Sequence, residues 1–331
     1  MSQKITLAQA YNQGLREEMQ RNPEIFVLGT DLGERGGHFG QVRGLAGEFG
    51  AGRVRDTPIS EAAMVAAGVG SALAGMRPIV DLNFVDFAFG AMDEIANQAA
   101  KIPYMWQVPM PIMIRASVGV ALAGEQHNNQ IEAWFAHLPG FLVAMASTPW
   151  DTKALVKTAL RGDDPVIFLM HKRLTGLRGE VGGEEDLLPF GSAAIRRPGN
   201  DATVVTYGFM VGEALKAAER LAEDGIDVEV IDLRTIMPLD LETVQESVRK
   251  TARLVVAVEA PSFCSVGAEV AAAVQESVFN YLDSPVMRVG APHSPIPHSP
   301  PMIAALVPTA SDVERAVRGS FDGWPSSLEV A

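Results

Sequence analysis

A carboxylate, an imidazole and a glycine-rich loop are the parts of this sequence best suited to chemistry. Glu61 closes the run Asp56-Thr57-Pro58-Ile59-Ser60-Glu61 and heads a stretch of small residues: Ala62, Ala63, Ala66, Ala67, Gly68 and Gly70. A Glu in the first turn of a helix is commonly a solvated acid that complements the helix dipole. Placed in an apolar pocket, the same carboxylate is desolvated and suited to exchange protons. His127 lies in Gly124-Glu125-Gln126-His127-Asn128-Asn129-Gln130, a polar island between apolar residues 116–123 and 131–135. Two readings stand for that island: a surface turn, or an active-site loop with hydrogen-bonding groups gathered around one imidazole. Gly33, Gly36, Gly37 and Gly40 form the glycine loop. They match neither G-x-G-x-x-G opening a helix nor a phosphate-binding Walker loop, which leaves a flexible turn or a loop beside a ligand.

Metal chemistry finds little support. None of the histidines (His38, His127, His137, His171, His293, His298) pairs with another at i, i+4 on a plausible helix. His293 and His298 stand among prolines that force extended, turning backbone. The expectation is therefore no metal site on this chain. Cys264 is the single cysteine, which excludes a disulfide scaffold and a Cys-built zinc site.

Elements that alternate along the chain must position these groups. Thr6 with Gln9 forms a capping box before Leu7, Ala10, Tyr11, Leu15 and Met19 at helical spacing. Next comes a strand at Ile25-Phe26-Val27-Leu28-Gly29 and a helix over 62–73 that Ser60 caps and Gly75 ends. Strands are expected at 78–82, 111–114, 141–145 and 166–169, with a helix over 88–101 and another starting at Thr148-Pro149-Trp150-Asp151. Residues 133–150 carry no Asp, Glu, Lys or Arg, but His137, Pro139, Gly140 and Pro149 interrupt them, so they read as a turn plus a buried strand rather than a membrane span. Residues 175–201 break the alternation with Gly179, Gly182, Gly183 and the acidic Glu184, Glu185 and Asp186, as a surface connection between domains does. Strands at 203–207, 228–231 and 254–258 then alternate with helices at 211–223, 241–250 and 266–278. Val/Ile runs separated by helices are the pattern of parallel strands buried on both faces.

The fold class expected is thus α/β: two three-layer α/β sandwich domains with mainly parallel sheets, over residues 1–185 and 200–331. A length of 331 residues suits two domains, and 47% hydrophobic content excludes disorder. A formal charge of −13 argues against a nucleic-acid-binding surface. Residues 1–11 show no basic flank before an apolar core, so no secretory signal is read there. With one cysteine, the expected location is the reducing cytoplasm.

Three long segments stand together in order: Asp56 to Glu61; His127 with Glu132-Ala133-Trp134-Phe135-Ala136-His137-Leu138-Pro139-Gly140; and Ile231-Asp232-Leu233-Arg234-Thr235-Ile236-Met237-Pro238-Leu239-Asp240. In these the chain resembles, over essentially its whole length, the β subunit of the thiamine-diphosphate-dependent decarboxylating component of 2-oxo acid dehydrogenase complexes. The pyruvate, branched-chain and acetoin enzymes share the pattern. The resemblance implies a pyrimidine-binding domain followed by a transketolase-like C-terminal domain. It implies that Glu61 bonds a ring nitrogen of the cofactor's aminopyrimidine and that Phe87 lies beside that ring. Ile59 and Asn83 match further lining positions, and His127 matches the family's active-site histidine. Thr30, followed by Asp31, stands at a cofactor position where the family often has Glu.

The resemblance also implies partners. No Gly-Asp-Gly occurs in the chain, the stretch on which such enzymes hold the diphosphate through a metal. An α subunit is therefore expected to bring Mg2+ and diphosphate, in an α2β2 tetramer with a second β subunit. A lipoyl acyltransferase core is the implied acceptor, a 2-oxo acid the implied substrate, and neither nucleic acid nor membrane is expected. The alternative reading is half of a split transketolase-like enzyme that transfers a carbon fragment to an aldehyde. Two departures motivate it: Thr30 in place of the family's Glu, and Ala260 to Cys264 in Val258-Glu259-Ala260-Pro261-Ser262-Phe263-Cys264, where the family has Val-Glu-(Glu/Gly)-Gly.

Overall fold

The computed structural model describes residues 4–322. The chain divides into two compact units. Unit 1 takes the chain up to Phe190 together with Thr235–Pro238, and unit 2 takes Gly191–Arg234 and the chain from Leu239 onward. Both are α/β units with mostly parallel sheets, as the alternation of Val/Ile runs and helices predicts.

Unit 1 is built on a 7-stranded sheet. Across it the strands run Thr235–Met237, Leu142–Ala144, Val166–His171, Met113–Val118, Arg77–Phe84, Ile25–Gly29 and Val54–Asp56. All neighbours are parallel except Thr235–Met237, which pairs antiparallel with Leu142–Ala144. The central strands are buried along nearly their whole length, which is why they read as continuous apolar runs. The helix Leu7–Arg21 opens with the Thr6–Gln9 capping box and packs on the helix Pro149–Arg161. Leu7, Tyr11, Leu15 and Met19 are buried along it, each contributing about 1.5–3 kcal/mol of apolar transfer.

Two local expectations differ from the structure. The helix expected over 88–101 is instead a 3-10 segment, Val85–Ala91, a π segment, Glu94–Ala99, and a short helix, Ile102–Trp106, with Pro103 in its first turn. Pro103 falls where a helix tolerates a missing N–H, so it marks the start of Ile102–Trp106 and does not account for the 3-10 and π winding before it. Residues 133–150 hold a helix, Glu132–His137, where a turn is expected, before the buried strand.

Unit 2 carries a 5-stranded sheet in the order Met287–Ala291, Leu254–Pro261, Ala202–Thr206, Val228–Asp232 and Ala194–Arg197, the last antiparallel. It therefore begins before residue 200, because the strand Ala194–Arg197 already belongs to it. Its core gathers Val204, Val228, Val230 and Val255 against Ala214, Ala217 and Leu221 of the helix Met210–Glu223 and Val313 and Val317 of the helix Ala310–Gly319. Among the described residues no helix is long and apolar enough to cross a membrane.

Candidate active site

In an open parallel sheet, ligands bind outside the carboxyl ends of the strands, at the point where the connections diverge. In unit 1 that point lies between Ile25–Gly29, whose chain proceeds to the edge strand Val54–Asp56, and Arg77–Phe84, whose chain proceeds the other way to Met113–Val118. The candidate residues follow the carboxyl ends of neighbouring strands. Thr30 follows Ile25–Gly29, Ile59 and Glu61 follow Val54–Asp56, Asn83 is the second-last residue of Arg77–Phe84, and His127 follows Met113–Val118.

Thr30 and Asn83 meet across the divergence. The Asn83 amide donates to the Thr30 hydroxyl at 2.9 Å and to its carbonyl at 3.3 Å. Asn83 has φ of 60°, a left-handed conformation that Asn tolerates better than most residues. Its backbone N–H donates to Asp81 Oδ1 at 2.9 Å, which fixes that turn. Asp81 is fully buried. Arg115 Nη1 donates to its Oδ1 at 3.2 Å and Gln41 Nε2 to its Oδ2 at 2.8 Å. Arg115 also donates to the Ser117 hydroxyl at 2.7 Å. Gly37 must lack a side chain here, since a Cβ would lie 2.4 Å from Gln41 Nε2. Burial, and then the Asp81 charge, push the Tyr11 phenol well above its ordinary value, so it stays neutral beside this network.

A second cluster forms around Phe84. The His127 ring stacks on it with centroids 4.6 Å apart and 26° between planes, and Phe87 meets His127 edge-on at 5.5 Å. Lys172, just after Val166–His171, lies over Phe84 at 5.5 Å and donates from Nζ to the His127 carbonyl oxygen. Asp86 accepts from His127 Nδ1 at 3.3 Å and, through its other oxygen, from Asn129 Nδ2. The glycine loop reaches the same cluster: His38 meets Phe84 edge-on at 4.8 Å. Partial burial, then the positive charges of Arg35 and Arg115, hold His38 below its ordinary value against the opposing pull of Asp31, so it is neutral at pH 7. The loop's start is tied to the Asp56 motif, whose Oδ1 accepts from the Leu32 N–H at 2.5 Å and the Gly33 N–H at 3.2 Å.

Ile59 and Glu61 make no hydrogen bond or ring contact with these clusters. Ile59 is 83% exposed. Glu61 is half-buried at the first position of the helix Glu61–Leu73, where Ser60 occupies the cap position without a side-chain cap bond. That helix packs on Val85–Ala91, the segment that carries Asp86 and Phe87. Its small residues Ala62, Ala63, Ala66, Ala67 and Gly70 are exposed, whereas Met64, Val65 and Val69 are buried.

Asp86, Phe84, Lys172 and His38 escape a search by motif. Asp86 had a signal, being the only charged residue between Asp81 and Asp93 in an otherwise apolar run. Lys172 and His38 had none, because only the parallel sheet brings them to Phe84.

The donor set suits an aminopyrimidine. Ile59 and Phe87 offer exposed apolar surface to a flat ring, Glu61 offers an unengaged carboxylate to a ring nitrogen, and Asn83 Oδ1 is a buried acceptor without a partner. No group of three or more His, Cys, Asp or Glu among the described residues is arranged to hold a metal ion.

Fold and site together define a protein of the transketolase class. Residues 3–177 match the transketolase pyrimidine-binding domain, and residues 191–313 match the transketolase C-terminal domain. The solved structure of a split-gene transketolase, an inactive β4 tetramer, has a TM-score of 0.81 at 27% identity, covering 96% of this chain and 99% of that one. Three curated relatives are closer in sequence. The β subunit of acetoin:2,6-dichlorophenolindophenol oxidoreductase from Cupriavidus necator is 43% identical, over 98% of this chain and 99% of its own. The 2-oxoisovalerate dehydrogenase β subunit of Bacillus subtilis is 42% identical, over 93% and 96%. The β subunit of the pyruvate dehydrogenase E1 component of Rhizobium meliloti is also 42% identical, over 95% of this chain and 69% of its own. The chain belongs to the family of β subunits of thiamine-diphosphate-dependent 2-oxo acid dehydrogenases.

Proposed function

We propose that the chain works with an α subunit to decarboxylate a 2-oxo acid and pass the acyl group to a lipoyl group. It supplies the aminopyrimidine half of the thiamine diphosphate site, and the α subunit holds Mg2+ and the diphosphate. The assembly is α2β2, docked on a lipoyl acyltransferase core in the cytoplasm. When bound, the cofactor supplies an acidic thiazolium carbon and an electron sink for loss of carbon dioxide.

The chain's own residues hold the ring and handle protons. Glu61 shares a proton with a ring nitrogen, Phe87 and Ile59 wall the ring, and the Thr30–Asn83 pair fixes the sheet crevice beside it. His127 Nε2 gives or takes a proton at the reacting carbon's substituents. The observation that carries this reading is the gathering of Thr30, Asn83, Phe87 and His127 at adjoining strand ends, with Glu61 opening the helix that packs on the segment carrying Phe87. Exposed Ile59, Trp106, Trp134 and Tyr104 on unit 1 supply apolar surface for subunit contacts.

The test is co-expression with the α partner and measurement of 2-oxo-acid-dependent reduction of an artificial electron acceptor. Glu61→Gln should lower turnover by about 10²-fold or more; full activity in that variant would overturn the role given to Glu61. The likeness to a split-gene transketolase supports a second reading, transfer of a carbon fragment to an aldehyde. Ketose-dependent transfer without any acyltransferase would favour it.

A further inference from the structure

The polar contacts around His127 do more than anchor a loop. We infer that Asp86 is a positioning residue: it holds His127 in the Nδ1–H tautomer and so reserves Nε2 for proton exchange with the reacting substrate. Asp86 Oδ2 lies 3.3 Å from His127 Nδ1, and Oδ1 accepts from Asn129 Nδ2. The side chain of Asp86 is 8% exposed and that of His127 28%, so one partner is sequestered while the ring keeps an open edge. A carboxylate only accepts, so its neighbour nitrogen must carry the hydrogen. Among the described residues no hydrogen bond engages Nε2.

The ring plane is fixed as well as the tautomer. Phe84 stacks on one face at 4.6 Å and Phe87 meets the ring edge-on at 5.5 Å. The Lys172 ammonium binds the backbone carbonyl of His127 itself. Asp86 is also the covalent neighbour of Phe87, so one residue ties the ring-walling segment Val85–Ala91 to the His127 loop. An imidazole held in this way needs no reorientation when a proton moves, which is how positioned acids and bases gain their advantage.

Asp86→Asn is a sharp perturbation because of Asn129. Both Asn129 Nδ2 hydrogens are engaged, one by Asp86 and one by the Gln126 carbonyl at 2.9 Å. An asparagine at 86 must therefore keep its oxygen toward Asn129 and turn its NH2 toward His127 Nδ1. That nitrogen then becomes an acceptor, and the ring is inverted to Nε2–H. Asp86→Ala has no amide to turn and releases the ring to a mixture of tautomers.

The tautomer part of this inference stands on the geometry alone, whereas the catalytic part rests on the function proposed above. The first measurement is the 15N–1H imidazole correlation spectrum of the full chain, with the His127 signals assigned by their loss in His127→Gln. Wild type should show Nδ1–H, Asp86→Asn should show Nε2–H, and Asp86→Ala a mixture. The second is steady-state kinetics of the reconstituted α and β subunits. Asp86→Asn should lower kcat by about 10²-fold with KM nearly unchanged. A wild-type ring in the Nε2–H form, or one that does not respond to Asp86→Asn, would overturn the proposal. Unchanged kcat with an inverted tautomer would overturn its catalytic part. A wild type inert toward every 2-oxo acid, with the tautomer still set by Asp86, would overturn the proposed function and leave the positioning role standing.

Discussion

Asp81→Ala tests whether the Thr30–Asn83 crevice is held by a buried charge. In the native chain the Asp81 carboxylate receives Arg115 Nη1 at 3.2 Å, the Asn83 N–H at 2.9 Å and Gln41 Nε2 at 2.8 Å, and both Asp81 and Arg115 have 0% side-chain exposure. Truncation strands a guanidinium in the core, and removing one partner of a buried pair costs about 3–5 kcal/mol. Two neutral donors lose their acceptor as well, at roughly 1–3 kcal/mol each if nothing replaces it. The space vacated by the carboxylate can admit water to the same donors, which offsets most of that second loss. We therefore expect a net loss of about 4 kcal/mol, a large share of the roughly 5–15 kcal/mol that holds a domain together. Urea unfolding followed by tryptophan fluorescence is the direct assay, because Trp106, Trp134 and Trp150 all lie in unit 1. Asp81→Leu combined with Arg115→Met removes both charges and should be clearly more stable than Asp81→Ala. A loss below about 1 kcal/mol in the single variant, or no recovery in the double variant, would refute the reasoning.

Other substitutions probe the frame around the site and the second unit. Gly68→Ala should destabilise unit 1 by about 1–3 kcal/mol in thermal unfolding despite alanine's better helix propensity. Its Cβ would lie 2.6 Å from Val80 Cγ2 and 2.9 Å from Ile112 Cδ1, pushing the Glu61 helix off the sheet. Asp240 caps the helix Leu241–Thr251 by accepting from the Thr243 N–H at 3.1 Å, so Asp240→Ala should cost about 1 kcal/mol at neutral pH. Burial pushes the Asp240 carboxyl up, but bonds from the Ala193 and Thr243 N–H groups, the Thr243 hydroxyl and the Arg234 charge bring it below its ordinary 3.8. A carboxyl lowered on folding stabilises above the ordinary value and loses that contribution as pH falls through the lowered one. The difference between wild type and Asp240→Ala, read by thermal unfolding at a series of pH values, should thus hold above pH 3.8 and shrink below it.

The fold was largely legible because its signals are local. Thr6 with Gln9, Thr148 before Pro149, and Val/Ile runs such as Leu254-Val255-Val256-Ala257-Val258 each declare an element from a few adjacent residues. The helix expected over 88–101 is wound as 3-10 and π segments, and the spacing of apolar residues does not report such a change of winding. Of the site, the family pattern pointed to Glu61, Phe87 and His127 but not to what holds them. Asp86, Lys172 and His38 act across 41, 45 and 46 residues of sequence from their partners (Asp86 and Lys172 on His127, His38 on Phe84). Pairings of that range are set by strand order, and no pattern of composition reports strand order.

The short strand Thr235–Met237 bears on how this protein could be divided or recombined. It closes one side of the unit 1 sheet against Leu142–Ala144, yet it is encoded after the first part of unit 2. A gene fragment ending at Phe190 would specify unit 1 without its last strand. The N–H and C=O groups of Leu142–Ala144 would then face solvent as an open edge, ready to recruit a foreign strand. Domain-swapped chimeras made by a single crossover near residue 190 should therefore inherit Thr235–Pro238 from the wrong parent and aggregate. A three-crossover design that carries this segment along with the first unit is the one that should remain dispersed.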